Sequence, residues 1–339
     1  MPTASNLVGR LDGGLKTQAR LCAGFFCCAL LVLATGCAQL VPQTVALRTD
    51  WPEGVARTTE MNDVPFFPQD DYQCGPAALA TILSYSGLPD TPESLVDEVF
   101  IPSRKGSLQI EMLAAPRRHG RVSYQLAPSY GDMLREVAAG NPVIVLQDVG
   151  DMFTEWHYAV VVGFDYPSGT IYLRSGKNRR QEVPFSYFER EWIKGNYWAM
   201  VVTAPDKLPA TATEERWVNA VNAMARSAPG EATTSAYAAA LARWPDSVPA
   251  AVGLANQYHS GGAYQLAVNV LRGALVRHPD SVIVVNNLAQ ALSDQGRNAE
   301  ALATIEKASD PQSPFAAAVR STREMIQERI AQQKTGVRQ

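Results

Sequence analysis

Apolar and polar positions along this chain change their spacing twice. Between residues 74 and 140 the apolar residues recur at helical intervals. In "GPAALATILSYSG", Ala78, Ile82 and Tyr85 align on one face, Leu79 and Leu83 beside them, and Gly87 supplies the stop. "TPESLVDEVF" opens with Thr91 as a cap, Pro92 in the first turn and early acids, a second helix. "SLQIEMLAAPRRHG" and "SYGDMLREVAAG" predict two more, each ending at glycine. After Gly140 the pattern becomes short β-branched and aromatic runs, "PVIVLQD", "HYAVVVGFD", "TIYLRSG" and "YWAMVVTA", punctuated by Gly, Pro, Ser and Asp. Helices followed by antiparallel strands predict an α+β domain over residues 61–203.

Beyond a Pro/Thr/Ala-rich linker at 204–213, helical spacing returns and the chain repeats itself. "WPDS" at 244–247 recurs as "HPDS" at 278–281, and the same 34-residue shift carries Leu254 to Leu288, Gly262 to Gly296 and Ala267 to Ala301. A helical period of this length, with small residues at packing positions and proline at the junction, resembles the tetratricopeptide repeat. In that frame Trp217, Tyr258, Ala267, Ala274, Pro245 and Pro279 occupy signature positions. Three repeats fit, at 214–247, 248–281 and 282–315, and residues 316–333 make a polar-faced capping helix, so the all-α array spans 214–335.

The N-terminus follows a different logic. Arg10, Lys16 and Arg20 precede sixteen mainly apolar residues, Leu21 to Gly36, too short for a membrane span and suited to a signal peptide. The run ends "LATGC", which resembles a bacterial lipobox with Cys37 as the lipidated residue, although Ala34 stands where leucine is usual. The resemblance implies a signal peptide at 1–36 and a lipid-anchored tether at 37–60. Ala38 after the cysteine implies the periplasmic face of an outer membrane.

Composition narrows the chemistry. The chain is 339 residues long, 46% apolar and 19% charged, with a net charge of −3 and no long basic run, which argues against nucleic-acid binding. It has no phosphate-binding glycine loop and no zinc-ligand spacing, so no cofactor or metal is expected. The five cysteines are Cys22, Cys27, Cys28, Cys37 and Cys74. Three leave with the signal and one takes the lipid, which isolates Cys74 as an unpaired thiol in an oxidising compartment.

Cys74 precedes Gly75 and Pro76 at a helix start, where the helix dipole lowers a thiol pKa and glycine admits a close approach. A thiol nucleophile needs a base and donors for an oxyanion. His157, opening the strand "HYAVVVGFD", is the natural base, since His119 lies at a helix end and His259 and His278 belong to the repeats. "VPFFPQDDYQCGPAALATIL", "GNPVIVL" and "WHYAVVVGFD…IYLRSG" together resemble the C39-like cysteine peptidases, papain-like in fold. The resemblance covers residues 61–203. It implies that Gln69, in preference to the adjacent Gln73, joins the Cys74 N–H in the oxyanion hole.

In that family an Asp after the His strand orients the imidazole. Here the place is taken by Ser175, with Asn178 and Asp165 as alternatives. Serine accepts a hydrogen bond but carries no charge. The reading is a membrane-anchored cysteine peptidase acting on peptides or proteins, its repeats recruiting a protein partner. An inactive adaptor built on the same shell, and a peptidoglycan amidase or endopeptidase, are the alternatives. Asp148 and Asp151 read as solvated loop acids, and "GKNRRQ" as a hairpin-edge charge cluster.

Overall fold

The computed structural model describes residues 41–69, 73–228, 230–308 and 312–336. The expected signal peptide at 1–36 and lipidated Cys37 lie outside the described residues. No described helix is long and apolar enough to cross a membrane.

The first unit contains α1 (Pro42–Ala46), β1 (Thr58–Glu60), α2 (Cys74–Tyr85), α3 (Pro92–Val99), a small hairpin of β2 (Phe100–Ile101) and β3 (Gly106–Ser107), and α4 (Gln109–Arg118). It continues with β4 (Val122–Gln125), α5 (Tyr130–Ala138), β5 (Val143–Asp148), β6 (Trp156–Asp165), β7 (Thr170–Ser175), β8 (Asn178–Pro184), α6 (Phe185–Trp192) and β9 (Ala199–Thr203). Thr91 caps α3 through a reciprocal pair with Ser94, a motif contributing about 1 kcal/mol.

One antiparallel sheet runs in the order β4-β9-β5-β6-β7-β8, and β1 pairs with the far half of β6 where β5 has ended. All of β5 and β9, and β6 from Tyr158 to Phe164, are buried. Both faces of the sheet centre are therefore covered, which explains the near-continuous apolar runs in these strands. Helix α2 packs on β6 and β7, and Tyr130 of α5 stacks on Phe185 and meets Phe188 at a tilt and Trp192 edge-on, all three on α6. Strand β8 escapes the apolar pattern because it is an exposed edge, protected by Arg179, Arg180 and Glu182. Strand β4 lies among the predicted helices and pairs with β9.

The segment 41–60, expected as a tether, is docked. Glu189 accepts the backbone N–H groups of Gln43 (2.8 Å) and Thr44 (2.6 Å), Leu47 is buried, and β1 joins the sheet. The carboxylate at the N-terminal end of α1 satisfies donors that a short helix leaves open.

The expected linker is docked as well. Glu136 on α5 is fully buried and accepts from Thr211 N (2.7 Å), Thr211 Oγ1 (2.6 Å), Ala210 N (3.2 Å) and Asn141 Nδ2 (2.7 Å). A carboxylate with this many donors is stable in the core. The all-helical unit then begins with α7 (Glu214–Ser227), which packs on β4 and α4 with Trp217 buried.

It continues through α8 (Glu231–Arg243), α9 (Val248–Ser260), α10 (Tyr264–Arg277), α11 (Val282–Asp294), α12 (Asn298–Ile305) and α13 (Ala316–Gly336). Helices α7, α9 and α11 start at Glu214, Val248 and Val282, preserving the 34-residue interval. Gly253 of α9 lies against the Tyr237 ring of α8, where a β-carbon would stand 2.3 Å from the ring. The fold is thus α+β followed by all-α.

Candidate active site

Cys74 is the first residue of α2 and its thiol is free and half-buried. Helix α2 has no side-chain cap: Gln73 holds the N-cap position and its carbonyl accepts Ala77 N–H at 3.2 Å. The open N–H groups of the first turn are therefore available, and those of Cys74 and Gly75 point at the sulfur. Tyr158 N–H, on β6, points there too, which sets the sulfur beside the residue following His157.

Gly75 serves packing rather than substrate approach. A β-carbon at this position would lie 2.1 Å from Ser107 Oγ on β3, so glycine is what lets the hairpin close over α2. The Tyr158 hydroxyl donates to the Ser107 carbonyl at 3.3 Å from the strand side.

His157 is half-buried at the start of β6, and its Nε2 lies 2.9 Å from Ser175 Oγ at the end of β7. With Nε2 turned to Ser175, Nδ1 is the nitrogen left for a thiol. Asn178 forms the far side of the β7–β8 turn, paired with Ser175 across Gly176 and Lys177, and is exposed. Asp165 stands at the other end of β6, eight residues from His157 or about 26 Å along a strand, where it receives Ser168 N–H. Of the three orienters considered, Ser175 is the one placed on the ring.

The half-buried Gln69 donates its backbone N–H to Gly176 O at 3.1 Å, which brings it to the turn that carries Ser175. Gln73 remains at the helix cap. The buried Arg174, unnoticed in the sequence, fastens this corner: its guanidinium donates to Met61 O (3.3 Å), Val64 O (3.3 Å) and Arg179 O (2.5 Å). One cation thereby holds the segment leading to Gln69 against the hairpin bearing Ser175.

The other histidines are committed elsewhere. His119 sits between Asp90 and Glu98, His259 meets Asp294, and His278 meets the Asp246 carbonyl. Among the described residues no three His, Cys, Asp or Glu side chains gather as a metal site.

Electrostatics depart from the expected helix-dipole activation. Burial raises the Cys74 thiol pKa and outweighs the N–H groups of Tyr158, Gly75 and Cys74, and the Glu155 carboxylate adds to the rise. Burial also lowers His157 to about 4. At neutral pH the pair rests as thiol and neutral imidazole.

The loop between β5 and β6 borders the site. Asp148, buried rather than solvated, accepts Glu155 N–H (2.9 Å) and Gly150 N–H (3.1 Å), and Lys194 Nζ stands 3.4 Å from its Oδ2. Burial works against its charge, yet these partners keep its carboxyl below the ordinary range. The loop holds Met152 and Phe153 in solvent, 87% and 83% exposed. Glu155, exposed, lies on this loop immediately before β6.

A thiol at a helix start, an imidazole on the adjoining strand and a hydroxyl behind the imidazole can perform nucleophilic acyl transfer. Comparison with known proteins agrees in kind. Residues 61–200 match the Peptidase_C39 like family. No curated protein matches the chain.

Among solved structures, the chain is similar to a C39-like peptidase from Bacillus anthracis at 18% identity, covering 45% of this chain and 98% of that one with a TM-score of 0.38. It is also similar to the peptidase domain of Streptococcus ComA, a bifunctional ABC transporter of a quorum-sensing pathway, at 20% identity, covering 41% and 98% with a TM-score of 0.34. A MamA variant matches at 22% identity over 37% of this chain and 72% of its own, with a TM-score of 0.30. It is in its sheet-rich unit, across residues 61–200, that this chain is similar to the C39-like peptidases.

Proposed function

We propose that this protein is a lipid-anchored cysteine peptidase of the cell envelope, with Cys37 carrying the lipid and a tetratricopeptide-like array recruiting a protein partner or substrate. The observation that carries the catalytic part is the His157–Ser175 contact at 2.9 Å, with the Cys74 sulfur lodged against the neighbouring Tyr158 N–H.

In the proposed reaction the thiol proton passes to His157 Nδ1 as sulfur bonds to the substrate carbonyl carbon. The carbonyl oxygen becomes an oxyanion, held by the Gln69 side-chain amide and the Cys74 N–H. The imidazolium then protonates the leaving amine as the C–N bond breaks, leaving a thioester. Water, deprotonated by His157, attacks the thioester and releases the acid and the thiol. A neutral resting pair suits this order, because the proton moves only when a carbonyl is there to receive the sulfur.

The 34-residue interval of helix starts supports the repeat reading. The docked linker supports an array that presents its ligand from a fixed position.

A second reading, the inactive adaptor, is favoured by one observation: burial holds both Cys74 and His157 neutral, and among the described residues the imidazole's partner is the Ser175 hydroxyl and not a carboxylate. The full chain, incubated with a proteome-derived peptide library, separates the two. New termini absent from Cys74→Ala and His157→Ala digests support the peptidase. Identical digests from all three proteins overturn it in favour of the adaptor.

A further inference from the structure

The loop between β5 and β6 holds apolar side chains in water on a fixed backbone. At its base Val149 N–H donates to Glu155 O at 2.9 Å, and Asp148 Oδ1 accepts the N–H groups of Gly150 and Glu155. Lys194 Nζ donates to Asp148 O (3.3 Å) and Gly150 O (3.4 Å) from the other side. A β-carbon at Gly150 would stand 1.8 Å from the Phe153 carbonyl oxygen, so the turn closes on itself there. Yet Met152 and Phe153 at the tip are almost wholly exposed, and Trp156, the first residue of β6, is 52% exposed. Loop tips are ordinarily small and polar, and large apolar side chains grouped in water mark a contact surface.

The start of the described chain is fastened beside this loop. Glu189 of α6 holds Gln43 and Thr44, while Lys194, five residues further or about 8 Å along a helix, holds the loop. Between them Glu191 accepts Gln147 Nε2, from the end of β5, at 2.9 Å. Cys37 precedes the first described residue, Val41, by four positions, a reach of at most about 14 Å. A lipid carried on Cys37 would therefore enter the bilayer on the side of the molecule where α6 and the loop lie.

The exposed surface of α6 suits a headgroup layer. Tyr187 is exposed, and the Arg190 guanidinium lies over its ring at 4.6 Å, an aromatic and a cation of the kind that settle at a membrane interface. The charges around the loop are of both signs, Asp151, Glu155 and Glu191 with Arg190 and Lys194, which fits zwitterionic headgroups better than a strongly anionic surface.

We propose that Met152, Phe153 and Trp156 dip into the surface of a zwitterionic bilayer beside the lipid on Cys37. The lipid retains the protein, and the loop gives the sheet-rich unit a second point of contact that fixes how it faces the membrane. The proposal rests on the lipid-anchor reading above.

The test uses the full chain in vesicles of phosphatidylethanolamine and phosphatidylcholine. A photoreactive benzophenone amino acid takes the place of Phe153 or, in separate preparations, of Ile110 or Val276, two exposed apolar residues on α4 and α10. After irradiation, mass spectrometry reads lipid adducts on each substituted peptide. Adducts should form at 153 and not at 110 or 276, and Met152→Asp beside the probe at 153 should remove them. No adduct at 153, equal yields at all three positions, or an adduct to a second copy of the chain alone overturns the proposal. The peptide containing Cys37, weighed in the same digest, reads the anchor separately. A lipid-bearing Cys37 without an adduct at 153 overturns the loop contact and keeps the anchor. An adduct at 153 with a bare Cys37 overturns the anchor and keeps the contact.

Discussion

His157 Nε2 and Ser175 Oγ stand 2.9 Å apart, joining the start of β6 to the end of β7 through a neutral contact. A hydroxyl fixes the ring but does nothing to offset the burial that lowers His157 to about 4. Removing it in Ser175→Ala should reduce peptide cleavage about tenfold, the worth of one orienting hydrogen bond. Supplying a charge in Ser175→Asp should raise the His157 titration midpoint by about 1 to 3 pH units, measured by NMR on the imidazole Cε1 proton. A midpoint that stays near the wild-type value would break the link between this contact and the imidazole.

The depressed His157 pKa also makes a prediction about stability. Unfolding returns the imidazole to its ordinary value of 6.5 from about 4, so between these two the unfolded chain binds the extra proton. Stability should therefore fall as pH drops from 6.5 toward 4 and level off below, with His157 responsible for at most about 3 kcal/mol. Denaturant titrations across this range should show a shallower slope in His157→Gln than in the wild type.

Gly75 and Ser107 should behave as a coupled pair. A β-carbon at 75 would stand 2.1 Å from Ser107 Oγ and 2.6 Å from Ser107 Cβ. Gly75→Ala should cost about 1 to 3 kcal/mol by overpacking, and Ser107→Gly should restore most of that in the double variant. Additive losses in thermal denaturation would mean that the hairpin and α2 relax apart without cost.

Arg174 should be irreplaceable by lysine. Three carbonyls, of Met61, Val64 and Arg179, share its planar fork. Arg174→Met should lose about 3 kcal/mol, and Arg174→Lys should recover little, because one ammonium cannot serve three divergent acceptors. Equal melting temperatures for the lysine variant and the wild type would contradict this.

The parts of the fold legible in the sequence are those with a local pattern. The apolar runs of β5, β6 and β9 read as strands because both sheet faces are covered, and Thr91–Pro92 reads as a helix start because the cap is built from adjacent residues. Cys74, His157 and Ser175 are legible because each sits at the end of such an element. What escaped were carboxylates satisfied by main-chain N–H groups.

Glu189 holds Gln43 and Thr44, Glu136 holds Ala210 and Thr211, and Asp148 holds Gly150 and Glu155. A backbone N–H carries no side-chain identity, so no motif records its partner. Both segments expected to hang free, the tether and the linker, are held this way. Arg174 escaped for the mirror reason, its partners being main-chain carbonyls.

The clamp at Glu136 changes what the helical array can do for the sheet-rich unit. Ala210 and Thr211 are fixed to α5, and Trp217 is buried in the same apolar core as the sheet. The two units are consequently joined by hydrogen bonds and a shared apolar core as well as by the chain itself. Under the proposed function, a protein seated along the array would be presented to Cys74 from that joined face, as work held in a jig meets the tool. Where such a protein is cut would be decided by how far along its length the scissile bond lies from the seat, a rule of measurement added to any rule of sequence.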